Sequence, residues 1–354
     1  MNPVDRADLR ARVEKALGVY LAQQRALLVG IDPALGPVTE VIEAFILGGG
    51  KRLRPAFAYW GFRGAGGVDS DAVVAAVASL ELVQGSALIH DDVMDASDTR
   101  RGEPAVHRRF AALHAAHGWD GDAEAFGAAS AILLGDLCLA WSDELLRVSG
   151  LDAAALLRAR VVFDVMRTEV IAGQYLDVHA QATADSSLRR ASTVARYKSA
   201  KYTVERPLLL GAAIAGAPPE IEAAYSGYGL TLGEAFQLRD DILGVFGDPA
   251  RTGKPAGDDL REGKRTYLVA TALDTARRPT ANQLQHGLGD PELDESGVAR
   301  LRDLIVETGA LARTEQRIEA LAHAALVALE PVQLADDAAS VLTELALAAT
   351  RRAD

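Results

Sequence analysis

The sequence has a single cysteine, Cys138, among 354 residues, so an internal disulfide and a cysteine-based zinc cluster are excluded. Aromatic residues make up only 5%, and the alternating β-branched runs that predict strands are rare. No uncharged apolar run approaches the roughly 18–20 residues that a membrane span needs. The chain also lacks a basic excess. Its 37 Lys and Arg against 49 Asp and Glu give a net charge of −12, which argues against a nucleic-acid-binding protein.

These absences and the overall composition are typical of a folded cytoplasmic protein. Apolar residues make up 49% of the chain and charged residues 24%, which excludes a disordered or low-complexity chain. Segment 1–17 is charged and amphipathic, without the apolar stretch of a signal peptide. We therefore expect a cytoplasmic location, no transmembrane segment and no nucleic-acid partner.

Helical periodicity is easy to find along the chain. In 72–95, Val73, Val77 and Leu80 recur at three- and four-residue steps, and Ser70 stands where a helix N-cap belongs. Other helices are predicted at roughly 4–28, 35–47, 123–148, 151–180, 190–215, 219–245, 263–276, 297–328 and 332–351.

Glycine- and proline-rich breakers separate these helices, as at 48–50, 64–67, 217–219 and 247–263. None of them is long enough to be a linker between domains. The sequence therefore predicts one all-α domain over 1–354, with its helices packed as a bundle.

The strongest chemical signal is the run Asp91-Asp92-Val93-Met94-Asp95. At 3.6 residues per turn, Asp91 and Asp95 share one helix face. Two carboxylates so close repel each other unless a cation lies between them. Mg²⁺ fits, because it takes one or two protein carboxylates and completes its shell with water and substrate phosphates. Taken alone, the run would more often be a solvated acidic helix end.

A second acidic pair, Asp240-Asp241, accompanies the first. Gln237 lies three and four residues before it, so these side chains can share a helix face. Basic residues stand near both pairs and in the segment GGGKRLRP. Together they indicate a polyanionic ligand that is held partly by metal ions and partly by Arg and Lys. The basic residues are Arg100, Arg101, Lys51, Arg52, Arg54, Lys254 and Lys264.

Two other patterns carry no site. The segment GGGKRLRP lacks the Ser or Thr after its Lys, and the spacing to an earlier glycine, that a phosphate-binding P-loop needs. His107, His114 and His117 match none of the usual zinc spacings. We expect these histidines to have surface or packing roles.

Several motifs follow one another in order between Phe45 and Tyr267. They are GGGKRLRP, DDVMDASDTRRGEP, GQYLD at 173–177, FQLRDD at 236–241 and a Gly-Lys loop. With them the chain resembles the trans-isoprenyl diphosphate synthases, also called polyprenyl synthetases. KYTVERPL and GVFGD make it most similar to bacterial geranylgeranyl diphosphate synthases. The resemblance implies an all-α isoprenoid synthase bundle around a deep central cavity, and a homodimer.

The resemblance also implies a reaction. Isopentenyl diphosphate condenses with dimethylallyl, geranyl or farnesyl diphosphate, and three Mg²⁺ and the basic residues draw off the leaving diphosphate. Asp91 and Asp95 would hold two ions with support from Asp92, and Asp240 would hold the third with Asp241 nearby. The proton would leave with the released diphosphate, so no protein base is expected.

Further residues receive roles through the same resemblance. Segment 247–263 would act as a lid. Gln174 and Asp177 would contact the residues that bind the substrates and would not touch the substrates themselves. Arg100, Lys201, Lys254 and Lys264 would bind the allylic diphosphate. Lys51, Arg54 and Arg101, assisted by Gln84, would bind isopentenyl diphosphate. Gln237, Lys201 and the backbone near Tyr202 would face the developing allylic cation.

The sequence departs from the family pattern at two positions. Gly244 replaces the usual third aspartate of the second motif, and Asp248 is the candidate to compensate for it. Tyr202 stands where relatives often have Thr. Pro207 predicts either a kink just after Lys201 or a helix end.

Product length is predicted from two small residues before the first motif. Ser86 and Ala87 lie one turn, about 5.4 Å, from Asp91, and their size leaves room for a growing chain. We expect a 20-carbon product, geranylgeranyl diphosphate; a farnesyl or longer-chain synthase is the alternative. A terpene cyclase would not need the Lys51 segment or the second acidic pair. A non-catalytic modulating subunit would be expected to have lost the aspartates.

Overall fold

The computed structural model describes residues 3–248, 257–290, 292–335 and 337–350. Over these ranges the chain is almost wholly helical, and one two-stranded ribbon is the sole β structure. This confirms the predicted all-α class. The chain divides into two compact units, Met1–Arg160 with Leu210–Gly216 and Val161–Leu209 with Ala217–Asp354. The expectation of a single domain over 1–354 stays a prediction.

The first unit contains the helices that carry the first aspartate motif. In it α4 packs against α6, and α5 packs against α6. Its elements are α1 (Leu9–Ile31), α2 (Gly36–Leu47), α3 (Leu53–Gly64), α4 (Asp71–Met94), β1 (Thr99–Arg100), β2 (Glu103–Pro104), α5 (Val106–His117) and α6 (Ala123–Arg147).

The second unit carries the second aspartate motif, and two helices, α7 and α9, belong partly to each unit. Its elements are α7 (Ala153–Ala182), α8 (Leu188–Val194), a π-helix (Ala195–Glu205), α9 (Arg206–Ala215), α10 (Pro219–Phe246), α11 (Asp258–Arg261), α12 (Tyr267–Thr275), α13 (Arg278–Gly287), α14 (Glu295–Glu307), α15 (Ala310–Leu329) and α16 (Ala338–Thr350).

The helix that carries the first motif begins as the sequence predicts. The Ser70 hydroxyl accepts a hydrogen bond from the Val73 backbone N–H over 3.4 Å, which satisfies one of the free donors of the first turn. Asp71 follows in that turn, where a negative charge is favoured. Val73, Val77 and Leu80 are fully buried, so α4 is a core helix that holds its C-terminal aspartates in a fixed place.

Two helices of the described chain, α4 and α6, are long and apolar enough to cross a membrane by length and composition alone. In α4, 72% of the apolar window is buried inside the protein, against 28% in α6. Burial marks α4 as part of the core. The exposed apolar residues of α6, including Ile132 and Leu133, are typical of an interaction surface. The absence of a transmembrane segment stays a prediction.

A π-helix interrupts the long helix that the sequence predicts over 190–215. The backbone N–H of Arg206 donates to the Lys201 carbonyl, five residues back. The helix thus changes type and continues into α9, with Pro207 in the first turn of α9, where a missing N–H costs little. The expectation of a helix end at Pro207 is therefore wrong, and the expectation of a kink just after Lys201 stays a prediction.

Three glycines on neighbouring helices allow a close approach to the π-helix. A Cβ on Gly173 of α7 would lie 2.3 Å from the backbone nitrogen of Lys198. Cβ atoms on Gly229 and Gly233 of α10 would lie 2.5 Å from other backbone atoms of the π-helix. Side chains at these positions would push the helices apart. The glycine of the GQYLD motif therefore has a packing role.

Several other elements differ from the predicted ones. The predicted helix 297–328 is two helices, α14 and α15, because Gly309 has φ 77° and begins the second. Helices α3, α5 and α13 and the ribbon β1–β2 were not among the predicted elements. Residues of α3 such as Phe57 and Tyr59 are buried on every side of the helix, which removes the periodic signal.

Candidate active site

The first aspartate motif lies at the C-terminal end of α4. Asp91 and Asp95 are stacked one turn apart, and the Asp95 backbone N–H donates to the Asp91 carbonyl over 2.8 Å. The Asp91 side chain is 16% exposed, whereas Asp92 is fully buried. The predicted common face of Asp91 and Asp95 is confirmed, and Asp92 points into the protein.

The ribbon after α4 brings Arg100 back to the motif. Its Nε donates to Asp92 Oδ1 over 2.9 Å, its Nη2 also donates to that oxygen, and Nη2 lies 3.7 Å from Asp91 Oδ2. Burial alone would lower the pKa of Arg100, but the hydrogen bonds to Asp92 and the nearby carboxylates raise it. Arg100 therefore stays charged beside the aspartates, where a diphosphate would also be bound.

The turn of the ribbon places Arg101 against the glycine-rich loop. Arg101 and Gly102 have φ of 56° and 78°, as a type I′ turn requires, and a non-glycine residue there is uncommon. Arg101 Nη1 donates to the Gly49 carbonyl over 2.9 Å, and its guanidinium lies 5.8 Å from the centre of the Phe45 ring. Burial lowers the pKa of Arg101, and neighbouring guanidinium groups lower it further. A cluster of cations is thus assembled here.

The basic residues of the GGGKRLRP loop have different roles. Arg52 is 3% exposed and donates to Glu81 over 2.5 Å and to the Ile46 carbonyl over 2.8 Å. It is therefore part of a buried ion pair that fixes the loop to α4. Lys51 is exposed and Arg54 half-buried, and their role in binding a substrate diphosphate stays a prediction. The sequence could not separate Arg52 from its neighbours, because its partner Glu81 lies 29 residues away.

The residues predicted to set product length lie two turns or less before Asp91 on α4. Ser86 is 4% exposed, and Ala87 is half-buried, as is Gln84. A Cβ on Gly85, the residue before Ser86, would lie 2.4 Å from the Ile46 side chain, so that side of α4 is closely packed. Ala87 has more space than Ser86 for a larger side chain.

The π-helix presents a network of lysines and carboxylates in the second unit. Lys201 Nζ lies 2.8 Å from Glu205 Oε2 and 3.3 Å from Glu169 Oε1, and Lys198 donates to Asp177 over 2.7 Å. Glu169 also accepts two hydrogen bonds from the next cation along the chain, Arg206. Asp177 thus pairs with Lys198, and its predicted role in supporting the site stays a prediction. Tyr202 is 3% exposed.

Glu169 and Glu205, neither of which was predicted from the sequence, are the acidic partners of the candidate site residue Lys201. Burial would raise the pKa of Glu169, but its hydrogen bond from Arg206 and the charge of Lys201 hold that pKa below the usual value. Glu169 is therefore held in its ionised form, and both carboxylates contact the Lys201 ammonium group. The spacing of Lys201 and Glu205 by four residues was an available signal, whereas nothing in the sequence pointed to Glu169.

The second aspartate motif lies near the C-terminal end of α10. Gln237 Nε2 donates to Asp241 Oδ1 over 2.7 Å, and the Tyr267 backbone N–H donates to Asp241 Oδ2 over 3.1 Å. This confirms that Gln237 and Asp241 share a face. Burial raises the pKa of Asp241 to about 7, against its hydrogen bonds and helped by the charges of Asp259 and Asp240. Asp240 is half-buried.

The lysines after the second motif are only partly described. Lys264 Nζ lies 2.5 Å from Glu262 Oε2 and 3.7 Å from Asp259 Oδ1, so acidic neighbours hold it. Lys254 and eight of the 17 residues of the predicted lid lie outside the described residues, since 249–256 are not described. The roles of both lysines and of the lid stay predictions.

The three histidines of α5, which match no zinc-binding spacing, have packing roles. His107 and His114 are buried, and burial lowers the pKa of His107. The His117 ring stacks on Trp119 with 5.0 Å between ring centres. Within the described ranges, no three His, Cys, Asp or Glu side chains converge as a metal-binding group. The donors available to a cation are therefore pairs of carboxylates.

Such pairs fit Mg²⁺. Asp91 and Asp95 lie on one helix face and largely within the protein, where two like charges are costly without a cation. Two carboxylates leave most of an octahedral shell to water and phosphate oxygens, as Mg²⁺ prefers. Arg100 beside them would complete the neutralisation of a bound diphosphate. The donor set is that of a metal–diphosphate site.

Comparison with known proteins agrees with this geometry. The profile of the family described as Polyprenyl synthetase matches residues 37–305. A geranylfarnesyl diphosphate synthase from Aeropyrum pernix is 34% identical over 306 residues, covering 85% of this chain and 90% of that protein. A geranylgeranyl diphosphate synthase from Methanosarcina mazei is 33% identical, covering 76% and 78%.

A solved structure resembles the whole chain. It is that of a Corynebacterium glutamicum geranylgeranyl pyrophosphate synthase in complex with isoprenyl diphosphate and magnesium. The two chains are 43% identical, with a TM-score of 0.94 over 97% of this chain and 98% of that one. The chain therefore belongs to the polyprenyl synthetase family of prenyltransferases.

Proposed function

We propose that this prenyltransferase condenses isopentenyl diphosphate with dimethylallyl, geranyl or farnesyl diphosphate to give all-trans geranylgeranyl diphosphate. The observation that carries the proposal is the placement of Arg100 against Asp92, 3.7 Å from Asp91, at the end of α4. A cation and paired carboxylates in one place suit a substrate that is itself an anion bound through divalent metal ions. The small residues Ser86 and Ala87 support a 20-carbon product.

The proposed mechanism assigns tasks to the residues of each motif. Asp91, Asp95 and Asp240 would hold Mg²⁺, with three ions expected; bound Mg²⁺ neutralises the charge that develops on the leaving diphosphate. Arg100 binds the same diphosphate and strengthens that neutralisation. Because Asp92 is buried and already accepts from Arg100, it orients this arginine and does not face the substrate directly.

The second substrate is bound by a separate set of cations. Lys51, Arg54 and Arg101 would hold the diphosphate of isopentenyl diphosphate, and the hydrogen bond from Arg101 to the Gly49 carbonyl fixes the direction of that guanidinium. Because these three cations bind only the diphosphate end, the isopentenyl double bond is left free to attack the allylic cation. In this proposal the proton lost afterwards passes to the released diphosphate, so no side chain acts as a base.

We also propose that the enzyme is a cytoplasmic homodimer. Helix α7 carries exposed apolar side chains that recur at steps of three, four and six residues and share one face, which is typical of a surface covered by a partner. A matching surface on a second copy would bury it symmetrically. The stripe consists of Leu157, Val161, Val165, Ile171, Tyr175 and Val178. The free thiol of Cys138 is consistent with the cytoplasm.

The oligomeric state is tested by light scattering after gel filtration. We expect a dimer for the unaltered chain and a monomer for Val161→Glu combined with Tyr175→Glu, because two buried charges would disfavour the interface. Val19→Glu, at an exposed position outside the stripe, is the matched control and should leave the dimer unchanged. A monomeric unaltered chain, or a dimer that tolerates both substitutions, would contradict the proposal.

The activity is tested by incubating the purified chain with Mg²⁺, labelled isopentenyl diphosphate and each allylic starter in turn. The expected main product has 20 carbons and disappears when EDTA replaces Mg²⁺. A 15-carbon product would indicate a farnesyl diphosphate synthase, and a 25-carbon product would match the Aeropyrum pernix relative. No extended product with any starter would support a non-catalytic modulating subunit.

A further inference from the structure

His90, the residue directly before the first aspartate motif, packs its side chain onto the neighbouring helix α6. A Cβ built on Gly135 of α6 would lie 2.1 Å from His90 Nε2, 2.4 Å from Cδ2 and 2.7 Å from Cε1. Since real Cβ atoms do not approach other atoms so closely, the imidazole occupies the space that a side chain at 135 would need. Glycine at 135 therefore admits His90 to the surface of α6.

A hydrogen bond fixes the imidazole in this groove. His90 Nε2 lies 3.0 Å from the carbonyl oxygen of Ile132 on α6. Because a carbonyl can only accept, Nε2 carries the proton and donates it, and the second lone pair of that oxygen stays available to the helix itself. Nε2 also lies 3.6 Å from Asp136 Oδ1, but the Asp136 side chain is 65% exposed, and such an exposed pair adds little.

The last turn of α4 carries charges that are unfavourable in that position. Asp91, Asp92 and Asp95 lie at the C-terminal end of the helix, where the helix dipole is negative and disfavours carboxylates. Asp91 and Asp95 also repel each other. Arg100 offsets part of this charge through Asp92 and Asp91. Because helix ends also tend to fray, a contact that fixes this turn to the core would stabilise the arrangement of the aspartates.

Helix α6 is a rigid support for such a contact. It packs along α4, and its residues Leu134 and Cys138 are buried. Cys138 Sγ would lie 3.7 Å from a Cβ on Gly85 of α4, so the two helices are already in contact before α4 reaches His90. The groove at Gly135 continues this packing towards the first motif.

We propose that His90 is a positioning residue for the first aspartate motif, and that Gly135 provides the groove that receives it. By fixing the last turn of α4 to α6, His90 holds Asp91 and Asp95 in the arrangement that binds divalent cations. In this role the histidine acts through the backbone of α4 and touches neither metal nor substrate. The inference rests on the proposed metal-dependent function and adds to it a residue outside the motif itself.

The first test measures amide hydrogen exchange of the metal-free protein by mass spectrometry, so it needs neither metal nor turnover. His90→Leu keeps an apolar side chain without a donor, whereas His90→Gln keeps an N–H donor at about the position of Nε2. We expect His90→Leu to speed exchange in the segment 91–97 about tenfold, as loss of one hydrogen bond allows. His90→Gln and the control Asp136→Asn should each change it less than about threefold.

The second test measures Mn²⁺ affinity in the presence of inorganic pyrophosphate by isothermal titration calorimetry. Every protein in this test carries Asp240→Asn, so that the titration reports on the first motif. His90→Leu should weaken the affinity about tenfold, as loss of a supporting partner does. His90→Gln should restore it to within about threefold of the reference, because the donor to Ile132 is retained.

The groove at Gly135 is tested in the same titration by a pair of variants. Gly135→Ala should weaken the Mn²⁺ affinity about as much as His90→Leu, because its methyl group expels the imidazole. In a chain that already carries His90→Ala, Gly135→Ala should cause less than about a twofold further loss, since no ring remains to be expelled. Such non-additivity is expected for residues in contact and not for independent ones.

Unchanged exchange or unchanged Mn²⁺ affinity in folded His90→Leu would overturn the proposal, even if that variant unfolds at lower urea concentration. Failure of His90→Gln to restore the affinity would overturn it as well, as would equal losses from Gly135→Ala with and without His90. Absence of Mn²⁺ binding in the Asp240→Asn reference would also count against it.

Circular dichroism of each variant shows whether it is folded. Should Gly135→Ala not fold, the comparison of His90→Leu with His90→Gln decides the question alone. The proposed function is judged separately, by product formation in the unaltered chain. A chain that makes no prenyl product but loses Mn²⁺ affinity in His90→Leu would refute the function and keep the assignment of His90.

Discussion

Arg100 donates two hydrogen bonds to one oxygen of Asp92, an aspartate that is fully buried at the end of α4. The middle aspartate of the first motif therefore neutralises and orients a protein cation, and we propose that the outer aspartates hold the metal ions. This division of labour is invisible in the sequence, where the three carboxylates look alike.

Asp92→Asn and Asp91→Asn should therefore differ in their steady-state kinetics, above all in their dependence on Mg²⁺ concentration. Without the Asp92 charge, Arg100 loses its orientation, and kcat/KM should fall about 10- to 100-fold, as it does when a supporting partner is removed. The Mg²⁺ concentration for half-maximal rate should change little. In Asp91→Asn that concentration should rise strongly. A large rise in Asp92→Asn as well would show that Asp92 binds metal directly.

Arg52 and Lys51 are neighbours in the chain, but replacing them with alanine should affect stability very differently. Arg52→Ala leaves Glu81, which is 6% exposed, as an uncompensated buried charge and should lower the free energy of unfolding by about 3–5 kcal/mol. Lys51→Ala alters an exposed side chain and should change it by less than about 0.5 kcal/mol. Urea unfolding of the two variants measures the difference. Equal midpoints would mean that the Arg52–Glu81 pair does not stabilise the loop.

Much of this architecture follows from local signals in the sequence. The Ser70 cap, the common face of Asp91 and Asp95 and the pairing of Gln237 with Asp241 depend on helical spacing alone, and the structure has all three.

Other features depend on residues that are far apart in the chain. Helix α3 is buried on all sides and shows no period. The π-helix depends on the glycines of α7 and α10 that pack against it. The contact of His90 with Gly135 joins α4 to α6, which the ribbon and α5 separate in the chain. Spacing rules cannot supply such contacts, because tertiary packing decides them.

The pKa of Asp241 predicts a pH dependence of stability in the metal-free protein. Burial raises this pKa from 3.8 to about 7 in the folded chain, so the folded state retains a proton that the unfolded state releases. The contribution to stability is full below about pH 4 and is lost as the pH rises to 7. In EDTA the free energy of unfolding of the unaltered chain should fall over this range more steeply than that of Asp241→Asn. Parallel curves for the two proteins would contradict the assignment.

The small residue Ala87 should limit product length when it is enlarged. Ala87 is half-buried one turn before Asp91, so Ala87→Phe can fold and would place a ring beside the growing chain. Its main product should shorten from 20 to 15 carbons or fewer, as measured by chromatography of the dephosphorylated products. Ala87→Ser is the control of similar size and should keep the original length. An unchanged product in Ala87→Phe would remove Ala87 from the determinants of chain length.

We propose that each of the two aspartate motifs binds divalent cations that in turn bind a diphosphate. Anomalous scattering from crystals soaked with Mn²⁺ and inorganic pyrophosphate tests this proposal. We expect Mn²⁺ peaks within about 2.0–2.3 Å of carboxylate oxygens of Asp91 and Asp95 and of Asp240, each bound also to pyrophosphate oxygens. Crystals that diffract well but show pyrophosphate without Mn²⁺, or Mn²⁺ away from both motifs, would contradict it.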